Sequence, residues 1–159
     1  MEHQSPKAIL VVSFGTSYEA SRKATIEIIE QDIADAFPDY RIYHAWTSKF
    51  IISILKKRDG ISIPTVCEAI EQMIHDGIRT LIVQPTHILD GIENNVMKEA
   101  VLSYKDSFDQ IVFGAPLLAT SEDETRAIAA VTSEFKNLKE LYKKSRSEVR
   151  AKKHRRLRN

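Results

Sequence analysis

Residues 7–17, KAILVVSFGTS, predict a buried strand that runs directly into a small, hydroxyl-rich turn and then a helix. The continuous apolar run from Ala8 to Val12 is typical of a central parallel strand that is covered on both faces. The turn that follows offers three hydroxyls and one glycine, where a ligand could approach backbone amides. Ligands of open α/β sheets bind at the carboxyl ends of strands, so this turn is the first candidate functional site.

The same strand-then-loop arrangement recurs along the chain, with helical patterns between the strands. This alternation predicts an α/β fold: a four-stranded parallel sheet with helices on both faces, layered as in flavodoxin. The further strands are predicted at residues 41–45, 80–84 and 110–113, and the helices at 18–37, 50–57, from Pro64 to Gly77, 93–104 and 121–142.

The chain length of 159 residues predicts one α/β domain, residues 1–135, followed by a basic tail, residues 136–159. The tail contains eleven Lys or Arg against two Glu, and we expect it to be helical or disordered. Such a block is normally solvated, although a basic tail can also bind phosphate non-specifically. Because no aromatic residue follows Tyr142, base stacking is not supported, and we do not expect a nucleic-acid partner.

Several features predict a cytoplasmic protein that is not bound to a membrane. No apolar run approaches the roughly 20 residues that are needed to span a bilayer. The N-terminal sequence MEHQSPKAIL lacks a basic region followed by a long apolar core, so we expect no signal peptide. The single cysteine, Cys67, cannot form an intramolecular disulfide.

The sharpest single candidate for chemistry is His87, which directly follows the third predicted strand. At the carboxyl edge of the sheet, its imidazole could bind a transition metal or act as a base near neutral pH. The alternative is a histidine that caps the next helix or hydrogen-bonds within its loop. The turn SFGTS lacks the GK[ST] ending of a phosphate-binding Walker loop, and the sequence contains no CxxC, HExxH or GxSxG motif.

Four segments of the sequence resemble one family of enzymes. They are LVVSFGTS at 10–17, AWTSKFIISILKKRDG at 45–60, VQPTHILDGIE at 83–93 and FGAPLL at 113–118. Together they are similar, in order and spacing, to the N-terminal half of the anaerobic sirohydrochlorin cobaltochelatases of the CbiK type. The resemblance covers about the first 135 residues.

The resemblance implies insertion of Co²⁺, or of Ni²⁺ or Fe²⁺, into a sirohydrochlorin-like tetrapyrrole during anaerobic cobalamin biosynthesis, without ATP or an organic cofactor. Members of this family have two similar α/β halves, which hold the tetrapyrrole in a cleft between them. Their metal-handling histidines and glutamate belong mainly to the C-terminal half. The chain ends where that half begins, so we expect the main catalytic half to be missing. Phe14 occupies the position of the histidine in that half's GHG-like turn.

The resemblance leaves His87 as the expected catalytic residue and metal ligand of this half. Because one imidazole rarely makes a tight divalent site, we expect a homo-oligomer or a partner that supplies the C-terminal half. The alternatives are a non-catalytic tetrapyrrole- or metal-binding half, or a flavodoxin-like nucleotide-binding domain. The cations Lys56, Lys57 and Arg58 are candidates for binding substrate carboxylates, and the expected tetrapyrrole-binding residues are Ser13, Phe14, Gly15, Thr16, Ser17, Thr47, Ser48 and Pro116.

Overall fold

The protein was analysed as a computed structural model, which describes residues 6–136 and 140. The chain divides into two compact units at the peptide bond between Ala119 and Thr120. The first unit contains, in order, β1 (Lys7–Ser13), α1 (Glu19–Ala24), α2 (Ile26–Ala36), β2 (Arg41–Trp46), α3 (Lys49–Asp59), α4 (Val66–His75), β3 (Thr80–Pro85), α5 (Ile92–Leu102), a 3₁₀ turn (Lys105–Ser107) and β4 (Gln110–Phe113).

The four strands form one parallel sheet in the order β2-β1-β3-β4, which confirms the predicted fold class. The connection from β1 to β2 and the connection from β2 to β3 run in opposite directions across the sheet. Because such crossovers are right-handed, their helices lie on opposite faces. β1 is central, and its residues from Ala8 to Ser13 are all buried.

The main apolar core lies on the face of the sheet that α4 and α5 cover. Alternate residues of β1 point to opposite faces, so Ala8, Leu10 and Val12 share this core while Ile9 and Val11 lie on the other face. Close packing of these side chains removes their apolar surface from water, which is the main source of stability. The buried helical members of the core are Val66, Ala69, Ile70, Met73, Met97 and Val101.

α4 begins at a capping box, and this corrects the predicted position of Pro64. The Thr65 hydroxyl accepts a hydrogen bond from the Glu68 amide, and the Glu68 carboxylate accepts one from the Thr65 amide. Pro64 therefore precedes the N-cap instead of occupying the first helical position. Its carbonyl accepts a hydrogen bond from the Trp46 amide at 3.0 Å, which joins the helix start to the end of β2.

The single helix predicted over residues 18–37 is two helices, α1 and α2, with Thr25 between them. Thr25 has φ −130° and ψ −76°, and its hydroxyl donates to the Ser21 carbonyl at 2.7 Å. This local bond occupies the carbonyl that a continuous helix would use for its own ladder. The spacing of apolar residues stays helical across Thr25, so it did not predict this break.

The second unit begins with a helical segment, residues 121–136. Thr120 and Asp123 cap this segment reciprocally, because each backbone amide donates to the other residue's side chain, at 3.0 and 3.2 Å. Apart from Lys136 and Glu140, the predicted basic tail lies outside the described residues. Within the described ranges, no helix is both long and apolar enough to cross a membrane.

A polar cluster joins the end of α4 to β2. Asp76 accepts hydrogen bonds from the Tyr43 hydroxyl at 2.6 Å, from the Gln72 amide at 2.8 Å and from Arg41 at 3.1 Å. The Tyr43 bond is the first cause, and Gln72 the second, of a lowered pKa of Asp76, at about 2. Burial and the bond to Asp76 in turn raise the pKa of Tyr43 to about 12.

We expect the Asp76 cluster to make stability fall on acidification. Because its folded-state pKa of about 2 lies below the ordinary 3.8, the stabilisation is present above 3.8 and is lost as the pH falls toward 2. Urea midpoints measured between pH 5 and pH 2 should therefore fall less steeply in Asp76→Asn than in the wild type. Asp39→Asn, at an exposed aspartate, is the control. Parallel pH profiles for the wild type and Asp76→Asn would contradict this assignment.

Candidate functional site

A cavity of about 790 Å³ lies at the carboxyl ends of β1 and β3, within the first unit. This is the edge at which a parallel sheet offers its binding loops. The lining is mainly apolar, with hydroxyl groups interspersed. It consists of Ser13, Phe14, Gly15, Thr16, Ser21, Thr25, Ile26, Ile29, Thr86, His87, Ile88, Leu89, Gly91, Ile92 and Glu93.

The turn after β1 forms the first wall of this cavity, and Gly15 is required for its shape. Gly15 has φ +105°, a conformation that side chains disfavour, and a Cβ there would lie 2.5 Å from Cε3 of Trp46. The indole ring therefore occupies the space beside the backbone of the turn. The carbonyls of Ser13 and Phe14 accept hydrogen bonds from the amides of Thr47 and Ser48, which fixes the turn to the end of β2.

The loop after β3 forms the opposite wall and carries His87. The Thr86 amide donates to the Val12 carbonyl at 2.9 Å, so the loop leaves the sheet beside β1. The His87 carbonyl accepts from the Leu117 amide at 3.1 Å, and the Ile88 carbonyl accepts from Leu118 at 2.8 Å. The β3 loop and the loop after β4 are thus joined by backbone hydrogen bonds.

The imidazole of His87 is the least satisfied polar group at the site. Both of its ring nitrogens are shielded from solvent, and neither has a hydrogen-bond partner among the described residues. A buried polar group without a partner costs about 1–3 kcal/mol, so such groups are uncommon. Among the described residues the Thr47 hydroxyl and Asn94 Oδ1 are also unpaired, but neither residue lines the cavity. A ligand that reaches the ring would recover that cost. This observation favours a ligand or base over the alternative of a loop-bonding histidine.

A metal site is not complete in the described part of the chain. No group of three or more His, Cys, Asp or Glu side chains there could hold a metal ion. Protein sites for divalent transition metals commonly use three or four protein ligands, so one imidazole can contribute only part of a coordination shell.

The charge of the cavity wall is also informative. Apart from His87, the only ionisable residue in its lining is Glu93, and no lysine or arginine lines it among the described residues. Beside the loop, hydrogen bonding from the Asn94 amide, and secondarily the charge of Lys98, hold the pKa of Asp90 below its usual range. The wall therefore suits an apolar, planar ligand surface better than a row of carboxylates.

Five of the nine candidate site residues are brought together at this cavity. Ser13, Phe14, Gly15 and Thr16 line one wall, and His87 lines the other. Their positions follow from strand order, because β1 and β3 are neighbours in the sheet.

The other four candidates do not line the cavity. The Ser17 carbonyl accepts a hydrogen bond from Arg58 at 2.6 Å, and the Ser48 hydroxyl caps α3 by accepting from the Ile51 amide. Thr47 is half-buried, and its hydroxyl has no partner among the described residues; Pro116 is buried. None of Lys56, Lys57 and Arg58 lines the cavity.

Sequence reasoning missed two groups of lining residues. Ser21, Thr25, Ile26 and Ile29 reach the cavity from α1, α2 and the break between them. The sequence pattern predicted an uninterrupted helix, so it gave no reason to place these residues at a loop edge. The second group, Ile88, Leu89, Gly91 and Ile92, follows His87 directly. The apolar pair Ile88 and Leu89 within a predicted loop was the sequence feature that could have indicated a binding surface.

An exposed apolar rim adjoins the cavity. We define it as Ile88, Leu89 and Ile92, which line the cavity, together with Leu117, whose amide is hydrogen-bonded to the His87 carbonyl. These side chains are 60%, 61%, 82% and 67% exposed, respectively. A contiguous group of large exposed apolar side chains beside a cavity is typical of an interaction surface.

Comparisons with known proteins agree on one family. A family model described as cobalt chelatase (CbiK) matches residues 7–149. The sirohydrochlorin cobaltochelatase of Salmonella typhimurium is 34% identical over 137 residues, which cover 86% of this chain and 52% of that protein. The sirohydrochlorin cobaltochelatase CbiKC of Nitratidesulfovibrio vulgaris is 28% identical over 131 residues, covering 79% and 44%. The chain spans about half the length of these curated relatives.

We expect Gly15→Ala to destabilise the protein more than Gly60→Ala does. Both glycines have positive φ, which costs an L-residue about 1–2 kcal/mol. Only at Gly15 does the added methyl overlap Trp46, which adds about 1–3 kcal/mol; at Gly60 it would meet no described heavy atom within 4 Å. Urea unfolding of the two variants measures the difference. Equal losses would show that the turn moves away from the indole without cost.

Proposed function

This chain belongs to the CbiK family of cobalt chelatases, and on that premise we propose that it forms one wall of a site for metallating a sirohydrochlorin-like tetrapyrrole. The substrate metal is Co²⁺, with Ni²⁺ or Fe²⁺ as further candidates. The observation that carries the proposal is the unpartnered imidazole of His87 in a largely apolar cavity of about 790 Å³. We place the reaction in the cytoplasm, as the sequence led us to expect.

The chemistry requires a base beside the macrocycle. Exchange of two pyrrole N–H protons for a divalent cation releases both protons, which must be accepted as the metal enters. His87 is assigned the role of proton acceptor or transient metal ligand, since neutral imidazole performs both. Neither ring nitrogen is hydrogen-bonded to a described residue, so no competing bond occupies the lone pair. Because both nitrogens are shielded from solvent, the loop must open for the substrate to reach them.

The apolar walls serve binding and distortion of the macrocycle. A tetrapyrrole presents a broad, flat face, and the side chains of Phe14, Ile88 and Leu89 offer apolar surface to it. Binding energy on a rigid wall can bend the macrocycle and expose its nitrogens to the metal. The substrate carboxylates then project away from this wall, which presents no cation to them among the described residues.

The lone imidazole favours a second candidate function. In this function the chain binds the tetrapyrrole, and metal insertion requires a partner. Among the described residues no other ligand completes a metal site. A second copy of the chain, or a C-terminal half supplied by a partner, would provide the missing ligands and the facing wall. The exposed apolar rim is the surface that such a partner would cover.

We expect His87→Ala to lower the rate of Co²⁺ insertion into sirohydrochlorin by about 10²-fold or more, the usual effect of losing a positioned acid–base group. The measurement follows the visible spectrum of the tetrapyrrole with the purified chain. His75→Ala, at a histidine whose side chain is 84% exposed at the end of α4, is the matched control. Equal rates for His87→Ala and the wild type would remove His87 from the mechanism. Tetrapyrrole binding without turnover in the wild type would favour the second candidate.

We also expect the tetrapyrrole to promote assembly through the apolar rim. Leu117→Asp places a charge on the rim and should weaken assembly by at least tenfold, because a buried unpaired charge is costly. Leu102→Asp is the control, because Leu102 is 46% exposed at the far end of α5. Sedimentation with and without sirohydrochlorin measures the effect. A tetrapyrrole-bound monomer that turns over at the full rate would contradict the need for a partner.

A further inference from the structure

We propose that the hydrogen bond between Ser13 and Thr86 positions His87 for its reaction, so that both hydroxyl residues act through the imidazole. The role of the imidazole rests on the proposed function, whereas the geometry of the bond does not. Ser13 then acts through the imidazole, whereas the sequence led us to expect contact between Ser13 and the tetrapyrrole.

The bond joins the two walls of the cavity directly. Thr86 Oγ1 donates to Ser13 Oγ at 2.8 Å, and both residues line the cavity. Ser13 ends β1 and precedes Phe14 of the first wall, whereas Thr86 follows β3 and precedes His87 of the second. This side-chain hydrogen bond therefore links the two walls where they leave the sheet.

Thr86 is anchored by its main chain as well as by its side chain. Its amide donates to the Val12 carbonyl at 2.9 Å, and Ser13 is only 1% exposed in the central strand. The residue before His87 is therefore held at two points to the most deeply buried strand. On its other side, the His87 carbonyl is held by the Leu117 amide at 3.1 Å.

These anchors explain how the imidazole stays where it is, although its nitrogens have no described partner. No hydrogen bond to the described residues orients the ring itself, so its position depends on the packing around it and on the backbone at either side. Because a β-branched side chain such as threonine is restricted at χ1, a hydrogen bond from its hydroxyl also restrains the adjoining backbone. Loss of the bond frees the loop on the side of His87 that faces β1.

The test measures how well the loop shields His87 from diethyl pyrocarbonate, which acylates accessible imidazole nitrogens. Peptide mass spectrometry reads the modification of His87 separately from that of the other histidines. We expect slow modification in the wild type and a rate roughly 2- to 10-fold higher in Thr86→Val, the change that loss of one hydrogen bond makes to an opening equilibrium. Ser13→Ala removes the same bond from the acceptor side and should give the same increase.

The control variants distinguish the effect of losing the hydrogen bond from a general effect of the substitution on packing. Thr80→Val makes the same substitution at the other end of β3 and should leave the modification rate of His87 unchanged. Thr86→Ser keeps the hydroxyl but not the β-branch, so its His87 should be modified more slowly than that of Thr86→Val. Should Thr86→Val fail to fold, as judged by circular dichroism, Ser13→Ala carries the test alone. Equal rates in the wild type and the variants without the bond, or no rescue by Thr86→Ser, would overturn the proposal.

Metal insertion supplies the second readout. In Thr86→Val the turnover number for Co²⁺ insertion should fall while KM for sirohydrochlorin stays within about twofold, because the bond orients the base and does not hold the macrocycle. A lower turnover number with unchanged KM supports the positioning role. A rise in KM by as large a factor as the fall in the turnover number would overturn it. If neither the wild type nor any variant turns over, the chain does not metallate the tetrapyrrole unaided, while the His87 modification rates still decide whether the bond positions the ring.

Discussion

Burial of β1 between two parallel neighbours is the constraint on which the rest of the protein depends. Its backbone groups are paired on one side with β2 and on the other with β3, from Ala8 to Val12. Every residue from Ala8 to Ser13 is buried, so the strand cannot shift without exposing apolar surface or breaking two ladders. Its carboxyl end is thereby fixed at the middle of the sheet edge, between the loops that build the cavity.

The site combines two loops that are fixed by hydrogen bonds with one imidazole that has no described hydrogen-bond partner. Hydrogen bonds of the backbone fix the turn at Gly15 and the loop at Thr86, whereas the imidazole of His87 is left without a described partner. The unpaired imidazole carries a free-energy cost that ligand binding can reverse. The apolar rim beside it is likewise typical of an interaction surface. Both features agree with our proposal that a second copy or a partner completes the site.

Strand positions and the fold class could be predicted because they depend on runs of apolar residues that the sequence displays. The site was only partly predictable. Ser13 and Thr86 lie 73 positions apart, and nothing in either segment indicates that their hydroxyls meet. The break at Thr25 depends on a hydrogen bond from its hydroxyl to the carbonyl four residues earlier. The spacing of apolar residues gives no information about such a bond. Ser48 resembled a ligand contact in the sequence, yet its hydroxyl caps α3.

The packing of Trp46 against Gly15 gives the protein a built-in optical reporter. Trp46 is the only tryptophan in the sequence; it is 2% exposed, and its indole lies against the backbone of a turn that lines the cavity. Tetrapyrroles absorb in the near ultraviolet where indoles emit, so a macrocycle bound beside that turn would quench this fluorescence by energy transfer. The emission of one side chain thus reports occupancy of the cavity without a label.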